Sequence, residues 1–134
     1  MGRPYRIQLR VYYQDTDAGG VVFHAQYLAF MERARTELLN ASGFDLARLA
    51  QERRVLFFVH ELTVRYHQPA RLNELLSVSA EVVKMGRASL AFRQRVERDD
   101  ELLVEAEVTL AVIDSDRMRP ARMPEELRKV LESS

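Results

Sequence analysis

The chain is 134 residues long, 47% apolar and 30% charged, the composition of one globular domain (1–134) large enough to bury a core. Its 20 basic and 20 acidic residues cancel, so no overall field draws it to nucleic acid, and no apolar run approaches the roughly 20 residues that span a membrane. With no cysteine it has neither a disulfide framework nor a thiol nucleophile, and with no apolar leader it is expected to be cytoplasmic.

Tyr5, Ile7, Leu9, Val11 and Tyr13 alternate with Arg6, Gln8, Arg10 and Tyr12, the period of a half-buried first strand. A loop with Asp15, Asp17, Gly19 and Gly20 follows. From about His24 to Asn40 the period changes: Tyr27, Phe30, Met31, Ala34, Leu38 and Ala41 mark the apolar face of a helix about 26 Å long. Gly43 is expected to stop it, and Asp45 to cap a short second helix through Gln51. Beyond Arg54 the chain turns to strand. Leu56, Phe58, His60, Leu62, Val64 and Tyr66 are expected on one face of a long strand closed by Pro69. Further strands are expected over Leu76–Val82, over Ala88–Val96 after the break at Gly86, and over Leu102–Val112 after the Asp99-Asp100 turn. Pro120 and Pro124 punctuate the tail before a terminal helix over Glu125–Leu131. A long amphipathic helix followed by successive strands predicts an α+β domain, its curved antiparallel sheet covering the apolar face of that helix. Such strands leave edges that pairing between subunits would cover.

The chemistry of the chain is concentrated between residues 15 and 27. Two carboxylates and a glycine pair lead directly into the long helix, whose first N–H groups attract negative charge. An acid beside such donors can attack or hydrate a carbonyl while the donors hold the oxyanion. Turn formation is the other reading of both aspartates, and it is the one assigned to Asp15. His24 at the helix start is an acid, a hydrogen-bond donor or a cap. His60 and His67 point to opposite faces of a strand and have no cysteine or carboxylate cluster beside them, so no metal site is expected. There is no serine elbow, Walker loop or dinucleotide fingerprint. Lys84, Arg87, Arg93, Arg95 and Arg98, and then Arg117, Arg119 and Arg122, form two basic clusters. They suit either a solvated face or a phosphate-bearing ligand.

Taken together, Val11-Tyr12-Tyr13-Gln14-Asp15-Thr16-Asp17-Ala18-Gly19-Gly20-Val21-Val22-Phe23-His24-Ala25-Gln26-Tyr27 resembles the 4-hydroxybenzoyl-CoA thioesterase family of hot-dog proteins. Within it, the Tol–Pal-associated (YbgC-type) subfamily is the nearest match. Phe30-Met31-Glu32-Arg33-Ala34-Arg35-Thr36-Glu37, Tyr66-His67-Gln68-Pro69-Ala70-Arg71-Leu72 and the tail from Arg119-Pro120 to Pro124 fit the same pattern. The resemblance implies a hot-dog fold, an antiparallel sheet wrapped around one central helix, in a homodimer or homotetramer. It implies hydrolysis of an acyl-CoA, with a short-chain or aromatic acyl group, to free acid and CoA. Asp17 would be the nucleophile or general base, Gly20 the motif glycine and the His24 backbone N–H the oxyanion donor. Tyr27 and Phe23 would border the acyl group. CoA would lie across a subunit interface, with Arg87 and Ser89 among its contacts, and enters as part of the substrate, so no cofactor is expected. Phe23 stands where the family often has tyrosine, and Gln26 where it has a smaller polar residue. An acyl carrier protein is an alternative thioester carrier.

Two other readings stay open at this level. One is a hot-dog hydratase or dehydratase, which would need His24 and a carboxylate paired at the substrate α-carbon. The other is a non-catalytic module that binds acyl-CoA or an acyl carrier protein.

Overall fold

The computed structural model describes residues 3–133. Its elements are strands β1 (Tyr5–Arg10), β2 (Val55–Tyr66), β3 (Leu75–Met85), β4 (Ser89–Arg98), β5 (Glu101–Asp114) and β6 (Arg119–Pro120), with helices α1 (Gln26–Ala41), α2 (Leu46–Arg53) and α3 (Glu125–Ser133). All strand pairs are antiparallel, in the order β1-β3-β4-β5-β2, with β6 appended to the end of β5. Chain order is therefore not spatial order, because β2 lies at the far edge beside β5 rather than next to β3. The connection from β2 to β3 crosses the start of α1. There it is tied down by Val22 N–H to Ala70 C=O at 2.9 Å and Ala70 N–H to the Tyr27 hydroxyl at 2.9 Å.

The apolar face of α1 lies on the inner face of the sheet. Phe30, Met31 and Ala34 are wholly buried, among Leu76, Val78, Ala80, Phe92, Val96 and Val104 from the strands. Burial of each large side chain here contributes about 1.5–3 kcal/mol, which holds the helix although isolated helices of this length are marginal. Gly43 at φ +92° ends α1, with Phe44 N–H returning to Leu39 C=O at 2.8 Å. Asp45 caps α2 through bonds from the Ala47 and Arg48 N–H groups, and Arg54 at φ +55° ends it two residues later than the sequence suggests. Leu127 and Leu131 of α3 close one end of the core.

Three expectations are corrected. The first strand stops at Arg10, because Val11 exchanges backbone bonds with Glu74 and Asn73 and Tyr13–Asp15 coil into one 3-10 turn. The long helix starts at Gln26 rather than His24, with His24 and Ala25 forming the turn that leads in. In β2 the alternation breaks at His60. Val59 pairs with Leu110 and Glu61 with Thr109, leaving His60 as a bulge. Leu62, Val64 and Tyr66 therefore share the inner face with Val55, Phe57 and Val59, not with Leu56 and Phe58.

Candidate active site

Residues 16–22 form a tight hairpin. Thr16 bridges Val22, Asp17 N–H donates to Val21 C=O at 2.9 Å, and Gly20 N–H donates to Asp17 C=O at 3.0 Å. Gly20 sits at φ +80°, the left-handed residue that ends a three-residue hairpin loop and that side chains with a Cβ resist. Asp17 is exposed at the start of this turn. Its Oδ1 accepts the Gly19 N–H at 2.8 Å, and Oδ2 has no hydrogen-bond partner among the described residues.

Asp15 behaves differently. It is 4% exposed, and both its oxygens are engaged, Oδ2 by the Tyr12 N–H at 2.8 Å and Oδ1 by the Gln26 side-chain amide at 3.0 Å. Its carbonyl accepts the Phe23 N–H at 3.0 Å. Asp15 thus clamps the hairpin to the first residue of α1. Its turn role stands, and Gln26 is the partner that makes it structural.

His24 lies between hairpin and helix. Its N–H has no acceptor among the described residues, as expected for a donor ahead of a first helical turn. Its carbonyl accepts the Tyr66 hydroxyl at 2.8 Å, so the end of β2 fixes the turn that carries the free donor. Burial raises the Tyr66 pKa, which keeps this hydroxyl protonated and donating. The His24 imidazole packs on the exposed Phe23 ring, 4.4 Å between centroids. Among the described residues no hydrogen bond or ion pair joins it to Asp17, so the acid–base pair of a hydratase is not assembled within the chain.

A cleft of about 280 Å³ opens beside His24, lined by Val22, Tyr27, Tyr66, His67, Gln68 and Pro69 as well. Tyr27 is a buried wall whose ring meets Tyr66 and Phe30 edge-on, at 5.7 and 6.1 Å. Desolvation raises its pKa against the opposing bond from Ala70. Phe23, expected to border the acyl group, is not part of the lining; it stands 47% exposed outside.

Arg87 and Ser89 are far from this cleft within one chain. Ser89 pairs with Ala111 and Tyr66 with Val104 along β5. Seven strand steps at about 3.4 Å put the two ends about 24 Å apart, and neither Arg87 nor Ser89 lines the cleft. Of the first basic cluster, Arg98 binds Pro69 C=O, Glu74 and Glu101 and so holds the β2–β3 connection, while Arg93 pairs with Glu81 and Glu107 on the outer face. His67 Nε2 lies 3.5 Å from Glu105. Among the described residues no group of three or more His, Asp or Glu is placed to hold a metal, and no helix is long and apolar enough to cross a membrane. Tyr66 is the residue the sequence did not single out. Its signals were its place at the end of the long strand and at the head of the Tyr66-His67-Gln68-Pro69-Ala70-Arg71-Leu72 segment that fits the family pattern.

Residues 19–105 match the family model described as the thioesterase superfamily. The acyl-CoA thioester hydrolase YbgC of Escherichia coli is 47% identical over 124 residues, 92% of each chain. The acyl-CoA thioesterase YbgC of Haemophilus influenzae is 42% identical over 92% of this chain and 91% of its own. A probable thioesterase from Bartonella henselae superposes with a TM-score of 0.87 at 33% identity, over 91% of this chain and all of that one. The helix wrapped in a curved antiparallel sheet is the hot-dog fold, and the chain belongs to the thioesterase superfamily.

Proposed function

We infer that this acyl-CoA thioesterase works where the hairpin meets the helix, with Asp17 and the His24 N–H on the two sides of the thioester carbonyl. The observation that carries the reading is the unpaired His24 N–H, held in place by Tyr66 on one side and Asp15 on the other, one hairpin away from a carboxylate with a free oxygen. The carbonyl oxygen accepts from His24 N–H and gains negative charge as the carbon becomes tetrahedral. A fixed donor at this point contributes about 3–4 kcal/mol to lowering the barrier. Asp17 either attacks the carbon, forming a mixed anhydride that water then hydrolyses to the free acid, or takes a proton from the water that attacks it and yields the acid directly. Collapse of the intermediate breaks the C–S bond and releases CoA as the thiolate, and these steps call on no cofactor. An acyl-carrier-protein ester presents the same carbonyl and is open to the same attack.

The free edge of β2 is read as a dimer contact, since an unpaired edge carrying exposed Val59 and Leu62 needs a cover. Antiparallel pairing of two β2 strands sets the Val55 end of one beside the Tyr66 end of the other. Arg87 and Ser89 of the second copy then stand on the side of the cleft, where the guanidinium suits CoA phosphate. Pairs of such dimers form the tetramer expected from the sequence, and the enzyme acts in the cytoplasm.

The test is CoA release followed with a thiol-reactive dye, in which a protein without cysteine is silent. Asn keeps the turn-forming oxygen and removes the charge, so Asp17→Asn should lower kcat at least about a hundredfold with the fold intact. Full activity in that variant would overturn the assignment.

A further inference from the structure

The hairpin at residues 16–22 has a third strand beside it. Asp17 N–H donates to Val21 C=O on one side, Val21 bridges Arg71 on the other, and Val22 N–H donates to Ala70 C=O at 2.9 Å. Residues opposite one another in such a ladder carry their side chains on the same face. Val22 and Ala70 turn inward and are buried, whereas Asp17, Val21 and Arg71 turn outward. Asp17 and Arg71 are therefore two strand spacings apart, about 9.5 Å, with only Val21 between them. The Arg71 backbone is fixed again by Glu74, its N–H donating to the carboxylate at 2.7 Å and its C=O accepting the Glu74 N–H at 3.2 Å. Its side chain is exposed, and the guanidinium has no hydrogen bond or ion pair among the described residues. Arg98, the other arginine at this connection, is by contrast engaged by Pro69 C=O, Glu74 and Glu101.

The hairpin thus separates two spaces. Val22 lines the cleft with His24, Tyr27 and Tyr66 on the inner side, and Arg71 faces the outer side with Asp17. A thioester carbonyl held between the His24 N–H and Asp17 has its acyl group in the cleft and its thiol arm over Val21, toward Arg71. Two methylenes beyond the sulfur, the arm of CoA carries an amide whose carbonyl oxygen accepts, and a guanidinium only donates. We propose that Arg71 is a substrate-binding residue whose guanidinium donates to this first amide carbonyl of the pantetheine arm. The enzyme then recognises the part that CoA and carrier-protein esters share, rather than the nucleotide at its end. The inference rests on the thioester carbonyl sitting between Asp17 and His24. A bond made equally in ground state and transition state lowers KM and leaves kcat unchanged.

The test measures kcat and KM for three esters by release of their thiols. They are butanoyl-CoA, butanoyl-N-acetylcysteamine, which ends just after that amide, and S-butyl butanethioate, which has none. Arg71→Met deletes the donors without removing a side-chain bond, so the melting temperature should hold. It should lower kcat/KM on the first two esters at least about tenfold, the size of a hydrogen bond to a charged group, through KM. The S-butyl ester should stay within about twofold of wild type, since it has nothing for Arg71 to hold. Arg71→Lys keeps a charged donor and should recover part of the loss. Asp17→Asn should fall on all three esters alike. Equal losses in Arg71→Met on all three would place Arg71 on Asp17, and a loss on butanoyl-CoA alone would place it on the phosphates. Either result, or no loss at all, overturns the proposal. If wild type leaves the S-butyl ester uncut, the other two decide, and a fall in kcat at constant KM overturns it. In each of these cases Asp17→Asn still abolishes hydrolysis and the catalytic reading survives. Full activity in Asp17→Asn, or no turnover of any ester by wild type, would overturn that reading and this proposal with it.

Discussion

Asp15 and Asp17 stand two positions apart, and the hairpin gives them opposite environments: one buried and fully bonded, the other exposed with one oxygen free. Asp15→Ala leaves Tyr12 N–H and the Gln26 amide without their acceptor and should cost about 1–3 kcal/mol. That is read as a lower urea midpoint at unchanged slope, with kcat falling far less than in Asp17→Asn. Equal losses of kcat at the two positions would make Asp15 part of the chemistry and sink the division. The Tyr66 hydroxyl donates to the His24 carbonyl, and its ring lines the cleft. Tyr66→Phe retains the ring that packs on Tyr27 and deletes only the hydroxyl, so KM and the melting temperature should hold. The freed donor turn should lower kcat about tenfold or more, since small displacements of a catalytic group are costly. A wild-type kcat in this variant would show that helix packing alone positions the donor. Because burial raises the Tyr66 pKa, its hydroxyl stays a donor up to and through the ordinary tyrosine range. The part of kcat that depends on Tyr66 should therefore not titrate below that range.

At the scale of elements, the hairpin carries its own conformational signature. Gly20 sits at φ +80°, and a Cβ added there would meet no atom within 4 Å, so substitution costs conformation and not space. The expected order of destabilisation is Gly20→Asn below Gly20→Ala below Gly20→Val, with alanine at about 1–2 kcal/mol. A collision would rank the three by size, placing alanine lowest, and thermal melts distinguish the two orders. The same local character explains what the sequence made legible. The faces of α1, the Asp45 cap, the Gly43 stop and the Asp17–Gly20 turn depend on neighbours a few residues away, and the pattern shows them. The bulge at His60 did not show, because an extra residue between two apolar runs looks like uninterrupted alternation when Phe57, Phe58 and Val59 are all apolar. Nor did the Tyr66 contact with His24, 42 residues away, or the crossing of β2 to the far side of β5. These are long-range pairings that carry no local periodicity. Residue types alone placed a carboxylate, a glycine pair and a helix start together and left turn formation open for both aspartates, whereas the family resemblance singled out Asp17, Gly20 and the His24 N–H.

For the whole molecule, the question is which copy completes the site. Outer-face pairs such as Arg93 with Glu81 and Glu107, at 3.9 and 4.0 Å, are exposed and contribute little stability individually. The inner side of the β2 edge, with Val59 55% and Leu62 37% exposed, is the apolar surface to be covered. If a second copy pairs there, Arg87 serves the cleft of its partner and not its own, about 24 Å away. Two inactive variants should then rescue each other. Asp17→Ala and Arg87→Glu chains, mixed in equal amounts and allowed to exchange subunits, form mixed dimers in half of all pairings. Each mixed dimer has one site with both residues intact and one with neither, so about a quarter of wild-type activity should return. An Arg87→Glu chain that is inactive alone and gains nothing from mixing, with exchange verified by a tagged subunit, would place Arg87 outside the partner's site. The geometry favours rescue, because β2 antiparallel to its own copy is the arrangement that brings a β3–β4 turn to the His24 end of the sheet.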